Sequence, residues 1–200
     1  MNYLAHAYLA DIDDNFMLGS FIGDFVKGNL GDRFSRDIKA GIAFHRKIDA
    51  FADAHERSRF SRDMFLGHRR RYAGIILDIC YDHFLSKHWP KYADCPLPDF
   101  IDRIYRVLDA SEAALPSRLK AVIPRMRREN WLACYDTLEG VQLTLERISR
   151  RLRNQKALDG AMEDILREYG QLEKNFFVFF QDLTAYAEAC IPRRMRRPSA

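Results

Sequence analysis

Residues 37–56, DIKAGIAFHRKIDAFADAHE, show the pattern from which the fold can be predicted. The larger apolar residues of this stretch recur near the three-to-four-residue spacing that gathers side chains on one face of a helix: Ile38, Ile42, Ile48 and Phe51. A second stretch, RRRYAGIILDICYDHFLSKH at residues 69–88, has the same rhythm. We therefore predict two long helices in the first half of the chain.

The remainder of the chain is also helical by pattern, and no stretch alternates with period two for long enough to indicate a sheet. Further helices are expected at 99–113, between Pro116 and Pro124, after Gly140, and over 157–169 and 171–191, the last two forming one helix bent near Gly170. The prediction is an all-α fold with seven to nine helices, in one compact domain over residues 1–192, followed by a basic tail at 193–200.

Composition excludes several classes of protein. The 200 residues are 48% hydrophobic and 30% charged, which is typical of a globular chain and not of a disordered one. No apolar run approaches the roughly 18–20 residues that span a bilayer, and the N-terminal residues lack a basic leader. Four irregularly spaced cysteines indicate reduced thiols, so we expect a cytoplasmic protein without a membrane span. The oligomeric state stays open, because the aromatic cluster at 176–180 could be core or interface.

Charge is distributed unevenly along the chain. Residues 1–115 carry 16 Lys and Arg against 17 Asp and Glu, whereas residues 116–200 carry 16 against 11. The sequence therefore predicts a motif-rich catalytic part over 1–90 and a basic helical part over 116–192 that could dock a partner. A solvated arginine-rich surface would give the same counts.

Acidic and imidazole side chains recur at helical spacing on these apolar segments. His45, Asp49 and Asp53 follow one another at intervals of four, as do Asp78 and Asp82. A carboxylate half inside a core needs a partner or a metal ion. His45 and Asp49 alone could equally be a hydrogen-bonded pair on one helix.

The case for a metal rests on separate segments contributing together. Gly23 and Asp24 interrupt a hydrophobic segment, His83 adjoins Asp82, and His6 lies among apolar neighbours, where a buried core histidine is the simpler interpretation. Mixed imidazole and carboxylate ligands suit a first-row divalent ion such as manganese, iron or zinc. Five residues form the predicted pool of metal ligands: Asp24, His45, Asp78, Asp82 and His83.

Four ordered motifs carry a resemblance to a known family. They are MNYLAHAYLA (1–10), GSFIGDFVKGNL (19–30), GIAFHRKIDAFADAH (41–55) and RRRYAGIILDICYDHFLSKHW (69–89). Together they resemble the acyl carrier protein phosphodiesterase family. The resemblance implies a hydrolase that removes 4′-phosphopantetheine from holo-acyl carrier protein to leave the apo form. It further implies manganese dependence and a helical fold distantly similar to HD-type phosphohydrolases. No His-Asp dipeptide occurs, so HD ligands cannot be carried over position by position.

The implied reaction suggests roles for individual side chains. Asp49 would orient His45 or act as a base, Lys27 and Arg46 would neutralise phosphate oxygens, and His6 would protonate the leaving serine oxygen. Carrier proteins are acidic, so docking would use basic surface. The arginines predicted to bind this partner are Arg69, Arg70, Arg71, Arg147, Arg150 and Arg151.

Other functions also fit the sequence. The same metal site could serve an HD-type hydrolase of nucleotides or other small phosphodiesters. A non-catalytic module that binds the carrier protein would need no metal. A nucleic-acid-binding protein is supported only by the arginine clusters, and the near-neutral first 115 residues argue against it.

Overall fold

Nearly all segments with helical periodicity form helices in the structure. The computed structural model describes residues 2–196 and contains, within that range, nine α-helices, six short 3₁₀ helices and no strand. The α-helices are α1 (Tyr3–Leu9), α2 (Asp14–Phe21), α3 (Arg36–Ala54), α4 (Glu56–Arg62), α5 (Ala73–Lys87), α6 (Leu97–Ala110), α7 (Ser117–Arg128), α8 (Leu138–Ser149) and α9 (Ala161–Cys190). The predicted all-α single domain is confirmed. Its division into a catalytic and a basic part, and its likeness to HD domains, stay predictions.

Helices α2 and α3 pack with their backbones in direct contact, because glycine stands on both sides of the crossing. A Cβ built on Gly19 would come 2.2 Å from the carbonyl oxygen of Ile38, and one on Gly41 would come 2.1 Å from that of Phe16. Any larger residue would force the helices apart. The close crossing brings the C-terminal end of α2 against the middle of α3.

The long helix α9 supplies much of the core. Phe176, Phe179 and Phe180 are fully buried, so the core interpretation of this aromatic cluster is correct. The Tyr81 ring of α5 lies 4.9 Å from the ring of Phe179, centroid to centroid. Helix α9 also runs through Gly170 without interruption, as the expected single helix does.

Helix α7 corrects one predicted boundary. Pro124 was expected to close this helix but lies inside it, and the helix continues to Arg128. A proline in a helix interior removes one backbone hydrogen bond and is costly. Leu119 and Met126, both fully buried, anchor α7 to the core on either side of Pro124 and hold the helix together.

The predicted basic tail begins in ordered contact with the domain. Arg194 forms a 2.6 Å ion pair with Asp37, and Arg196 donates to the carbonyl oxygens of Ala189 and Ile191. Residues 197–200 lie outside the described part of the chain. All four cysteines are free thiols, and no helix within residues 2–196 combines the length and apolar character needed to cross a bilayer.

Candidate metal centre

Three elements from the first 54 residues converge on one site. His6 comes from α1, Asp24 from the short 3₁₀ helix Gly23–Phe25, and His45 and Asp49 from successive turns of α3. One potential ligand atom from each of His6, His45 and Asp49 lies within 4.8 Å of the others. Within residues 2–196 this is the only group of three or more such side chains at that spacing.

The imidazole of His45 is fixed in an orientation that suits a metal ligand. Its Nδ1–H donates to the carbonyl oxygen of Ser20 at 2.8 Å. Nε2 then faces two carboxylates, at 3.3 Å from Asp24 Oδ1 and 3.1 Å from Asp49 Oδ2. An unprotonated Nε2 would meet only acceptors there, so the arrangement requires a proton or a cation between them.

His6 completes the group from the other side. Its Nε2 lies 3.0 Å from Asp49 Oδ1, and its ring stacks on that of His45 with a centroid separation of 3.9 Å. The Ser20 hydroxyl donates to the carbonyl oxygen of His6, which ties α1 to α2 beside the site. His6 Nδ1 is buried without a hydrogen-bond partner among the described residues, a cost that a structural histidine would normally avoid.

The two histidines differ in protonation state. Burial would lower the pKa of His45, but the hydrogen bonds with Asp24 and Asp49 outweigh burial and raise it to about 9. Burial lowers the pKa of His6 to about 4. The hydrogen bond with His45 lowers the pKa of Asp24, and contacts with both imidazoles hold that of Asp49 well below its usual range despite burial. The site is therefore two carboxylates around one protonated imidazole.

This donor set fits a first-row divalent cation. It offers two imidazole nitrogens and two carboxylates, the mixture that manganese, iron and zinc accept. The side chains of Asp24 and Asp49 are 59% and 39% exposed, so the site opens to solvent, whereas His6 and His45 are buried behind them. The proton on His45 occupies the place where a cation would gain most from both carboxylates.

Asp82 does not belong to this group, contrary to the sequence prediction. It is fully buried, and its carboxyl oxygens accept from the backbone N–H groups of Leu4 and Ala5 at 3.1 and 3.4 Å. Burial raises the pKa of Asp82 to about 7, although these N–H groups favour the charged form. Asp82 therefore caps the first turn of α1, the helix that carries His6.

His83 was also predicted to be a ligand, and its ring is occupied elsewhere. Nδ1 donates to the carbonyl oxygen of Tyr135 at 2.7 Å, and Nε2 lies 2.7 Å from the hydroxyl of Tyr169. Both nitrogens have partners on other elements, so no lone pair is left for a metal. Successive residues on α5 point about 100° apart, so Asp82 and His83 lie on different faces.

The two remaining acidic candidates lie outside the group of three. Asp78 is partly buried, and burial, with a smaller contribution from the charge of Asp49, raises its pKa. Asp78 is not one of the three side chains of the group, and its role as a metal ligand stays a prediction. Asp53, one turn beyond Asp49, is 80% exposed and pairs with Arg62 at 2.9 Å.

Two cations lie close in sequence to residues of the site. Arg46 follows His45 on the exposed side of α3 and donates to the carbonyl oxygens of Val26 and Gly28 at 3.2 and 3.4 Å. It thereby holds the loop that carries the exposed Lys27, three residues after Asp24. Contact of Lys27 and Arg46 with a phosphate group stays a prediction.

The arginines at 69–71, predicted to bind an acidic partner, are used differently. Arg69 Nε lies 2.5 Å from Asp164 Oδ2, whose side chain is 1% exposed, so Arg69 neutralises a buried carboxylate. This ion pair favours a structural role for Arg69, and partner binding by Arg69 stays a prediction. Arg70 pairs with Asp63 at 2.7 Å on the surface, and Arg71 is exposed.

The arginines at the end of α8 separate into two sets, although all three were predicted to bind the same partner. Arg147 and Arg151 stack on Trp131, with guanidinium carbons 4.8 and 4.6 Å from the ring centroid. Arg150 instead pairs with Glu146 and lines a cavity of about 580 Å³ between α8 and the start of α9. Arg150 therefore does not belong with the other two.

Sequence reasoning missed two residues that shape these surfaces. Ser20 orients His45 through its backbone carbonyl, and a main-chain contact leaves no signal in the side-chain pattern. Trp131 gathers the arginines of α7 and α8, and a lone tryptophan between helices gives no sign of that role. Gly23 interrupts a hydrophobic segment in the sequence, and its contact with the His45 ring explains why a glycine stands there.

Comparisons with known proteins identify the family of the chain. A model of the family described as acyl carrier protein phosphodiesterase matches residues 1–183. Curated proteins of that name are similar along nearly their whole length. The protein from Yersinia enterocolitica serotype O:8 is 35% identical over 94% of this chain and 98% of its own. The protein from Photorhabdus laumondii is 34% identical over 96% of this chain and 100% of its own length. The protein from Pectobacterium atrosepticum is 33% identical over 94% of this chain and 98% of its own length.

The likeness extends well beyond the motif-rich first 90 residues, since both the family match and the relatives include the basic helices. No solved structure matches the chain. The chain belongs to the acyl carrier protein phosphodiesterase family and is a phosphodiester hydrolase.

Proposed function

We propose that the chain hydrolyses the phosphodiester of holo-acyl carrier protein at the group of His6, Asp24, His45 and Asp49, with manganese or a similar divalent cation bound there. The observation that carries the proposal is His45 Nε2, which faces two carboxylates while its Nδ1–H is fixed on Ser20. A bound cation would shield the phosphate charge and supply a hydroxide-like nucleophile near neutral pH.

The proposed reaction cleaves the bond between phosphorus and the carrier serine oxygen. Water adds its oxygen to phosphorus, the serine oxygen leaves and takes up a proton, and phosphopantetheine is released as a monoester. Phosphoryl transfer depends mainly on positioning and charge, so cationic side chains beside the site would contribute most. Lys27 and the loop-bound Arg46 are the residues we assign to the phosphate oxygens.

His6 serves better as a ligand than as the acid for the serine oxygen. Its side chain is 2% exposed and its Nε2 faces Asp49, so a carrier serine could not approach it directly. A pKa of about 4 also leaves its ring neutral at physiological pH, the form that binds metals. Asp49 contacts both imidazoles, which supports the orienting role suggested for it.

The test is incubation of purified chain with holo-acyl carrier protein and Mn²⁺, followed by mass spectrometry of the carrier. We expect loss of the phosphopantetheine arm, and no loss when a chelator is added. Turnover that survives complete metal removal would contradict the cation. Carrier binding without turnover would favour the non-catalytic module, and faster cleavage of nucleotide diesters would favour the small-diester hydrolase.

We also propose that this reaction takes place in the cytoplasm. The support is chemical, because all four cysteines are free thiols, including the exposed Cys95.

A further inference from the structure

We propose that Trp131 and the arginines around it form the surface on which an acidic carrier protein docks, with Arg118 and Arg151 as its exposed contacts. This inference rests on the proposed function, because it names where the protein substrate lies while its prosthetic arm enters the candidate metal centre. It also selects one of several basic segments, between which the sequence alone does not distinguish as docking sites.

The surface is an arginine cluster built on one aromatic ring. Arg147 and Arg151 stack on Trp131 at 4.8 and 4.6 Å, and Arg125 lies 6.0 Å from the ring centroid. Glu129 accepts from Arg125 Nε at 2.7 Å and from Trp131 Nε1 at 2.9 Å, and lies 3.2 Å from Arg147 Nε. Two guanidinium groups, those of Arg125 and Arg147, therefore share one carboxylate, and Arg151 adds a third cation to the cluster.

The remaining positive charge faces solvent. Arg118 lies seven residues before Arg125 on the same face of α7, and both Arg118 and Arg151 are exposed. Neither of these two arginines forms an ion pair with a carboxylate in the described part of the chain. Burial, and then the charge of Arg125, lower the pKa of Arg151, as expected where cations are held together. Grouped like charges oppose folding, so a cluster of this kind gains most when an acidic surface covers it.

Helix α1 connects this surface to the candidate metal centre. The ring of Tyr3 stacks on Phe21 and Phe25, 5.3 and 6.2 Å away between centroids, on either side of the segment that carries Asp24. On the arginine side, Arg147 lies 3.8 Å from Cys134 Sγ, and the hydroxyl of the next residue, Tyr135, accepts from Asn2 Nδ2 at 2.6 Å. Asn2 is the N-cap of α1, the helix that carries Tyr3 and His6, so these contacts join the arginine surface to an element of the candidate metal centre.

Among the described residues, three other arginines that were predicted to bind the partner lack this combination. Arg69 forms an ion pair with the buried Asp164, Arg70 with Asp63 and Arg150 with Glu146. An acidic protein whose modified serine lies at one end of a carboxylate-rich face would meet Arg118 and Arg151 beside the entrance to the site. Arginine suits such a face because its guanidinium pairs with carboxylates in a fixed, two-pronged geometry.

The experiment compares Arg118→Glu and Arg151→Glu with Arg150→Glu as the matched control. The control carries the same charge change one residue away, on the side that faces α9. For each variant, kcat/KM is measured with holo-acyl carrier protein and with bis(p-nitrophenyl) phosphate, both with Mn²⁺, and folding is checked by circular dichroism and thermal melting.

We expect Arg118→Glu and Arg151→Glu to lower kcat/KM for the carrier at least about tenfold more than for the small diester. Wild-type turnover of the carrier should also fall as salt rises, and Arg150→Glu should match wild type. Equal loss in the Arg150 and Arg151 variants would overturn the docking surface while leaving the hydrolase intact. Wild-type binding of single-stranded DNA as tight as that of the carrier would assign the surface to nucleic acid instead. Failure of wild type on both substrates would instead contradict the proposed function.

Discussion

The imidazole of His45 lies directly against the α-carbon of Gly23. A Cβ built on Gly23 would come 2.2 Å from His45 Cγ and 2.4 Å from its Cδ2, closer than real Cβ contacts. The hydrogen bond from Nδ1 to Ser20 prevents the ring from moving freely. Glycine at position 23 is therefore a condition for the orientation in which Nε2 meets both carboxylates.

The Gly23→Ala variant should disturb the metal centre without unfolding the domain. The added methyl group would push the His45 ring away from Asp24 and Asp49, and we expect Mn²⁺ affinity to fall by at least about tenfold. Titration calorimetry measures this directly. Gly170→Ala is the control, since nothing lies within 4 Å of its Cβ and alanine should stabilise α9 by up to about 1 kcal/mol. Unchanged Mn²⁺ affinity in Gly23→Ala would show that His45 is not a ligand.

Asp49 and Asp53 offer a matched pair on one helix. Asp49 bridges His6 and His45, whereas Asp53 lies one turn away and pairs with the surface residue Arg62. We expect Asp49→Asn to lower kcat/KM for holo-carrier by about a hundredfold or more and to weaken Mn²⁺ binding. Asp53→Asn should leave both near wild type, because exposed ion pairs contribute little. Equal effects of the two substitutions would remove Asp49 from the site.

The sequence predicted the fold well because helical periodicity and packing agree along the chain. The spacing of apolar residues located α3 and α5 within a few residues, and the period of α9 continued across Gly170. Pro124 was misjudged because local propensity opposes a helix there, whereas burial of Leu119 and Met126 maintains it. Tertiary packing can outweigh the cost of one lost hydrogen bond.

The candidate site was only partly predictable. The spacing of four placed His45 and Asp49 together, and that contact is local to one helix. Which α5 residues reach the site depends on how α5 is rotated against α1, and no local pattern specifies that rotation. Asp82 and His83 therefore resemble ligands in sequence, yet they contact the backbone of Leu4 and Ala5 and the hydroxyl of Tyr169.

Asp82→Asn should separate a capping role from a metal role. Asn keeps an acceptor for the N–H groups of α1, so we expect Mn²⁺ affinity within about threefold of wild type. The stabilising form of Asp82 is protonated, with a folded pKa of about 7 against an ordinary 3.8. Its contribution to stability is therefore complete below pH 3.8 and is lost as pH rises to 7.

Between pH 3.8 and 7 the free energy of unfolding of the wild-type protein should fall by about 4 kcal/mol relative to that of Asp82→Asn, because each pKa unit corresponds to about 1.4 kcal/mol. Chemical denaturation of both proteins between pH 4 and 8 measures the difference. If the folded variant fails to bind Mn²⁺, Asp82 belongs to the metal centre after all.

Protonation of His45 should compete with metal binding. Its folded pKa of about 9 exceeds the ordinary 6.5, so in the metal-free protein its stabilising contribution is complete below pH 6.5 and disappears as pH rises through 9. Mn²⁺ must displace this proton, and its affinity should therefore increase from pH 6.5 to 9, with about one proton released for each ion bound. Calorimetry in buffers of different ionisation enthalpy counts that proton. Affinity that does not vary with pH would exclude His45 Nε2 as a ligand.

Arg69 should prove to be a stability residue and not a docking residue. It neutralises Asp164, whose side chain is 1% exposed, and its removal would leave that buried carboxylate with Arg167 as its remaining ion-pair partner among residues 2–196. We expect Arg69→Ala to lower the free energy of unfolding by about 1.5–3 kcal/mol, the range for hydrogen bonds to charged groups. Arg70→Ala, which breaks a pair that is 61% exposed on both sides, should change it by less than about 1 kcal/mol. Urea denaturation measures both, and kcat/KM for holo-carrier below the unfolding range should match wild type in each. A selective loss of carrier turnover in Arg69→Ala, with stability unchanged, would restore this arginine to the docking surface.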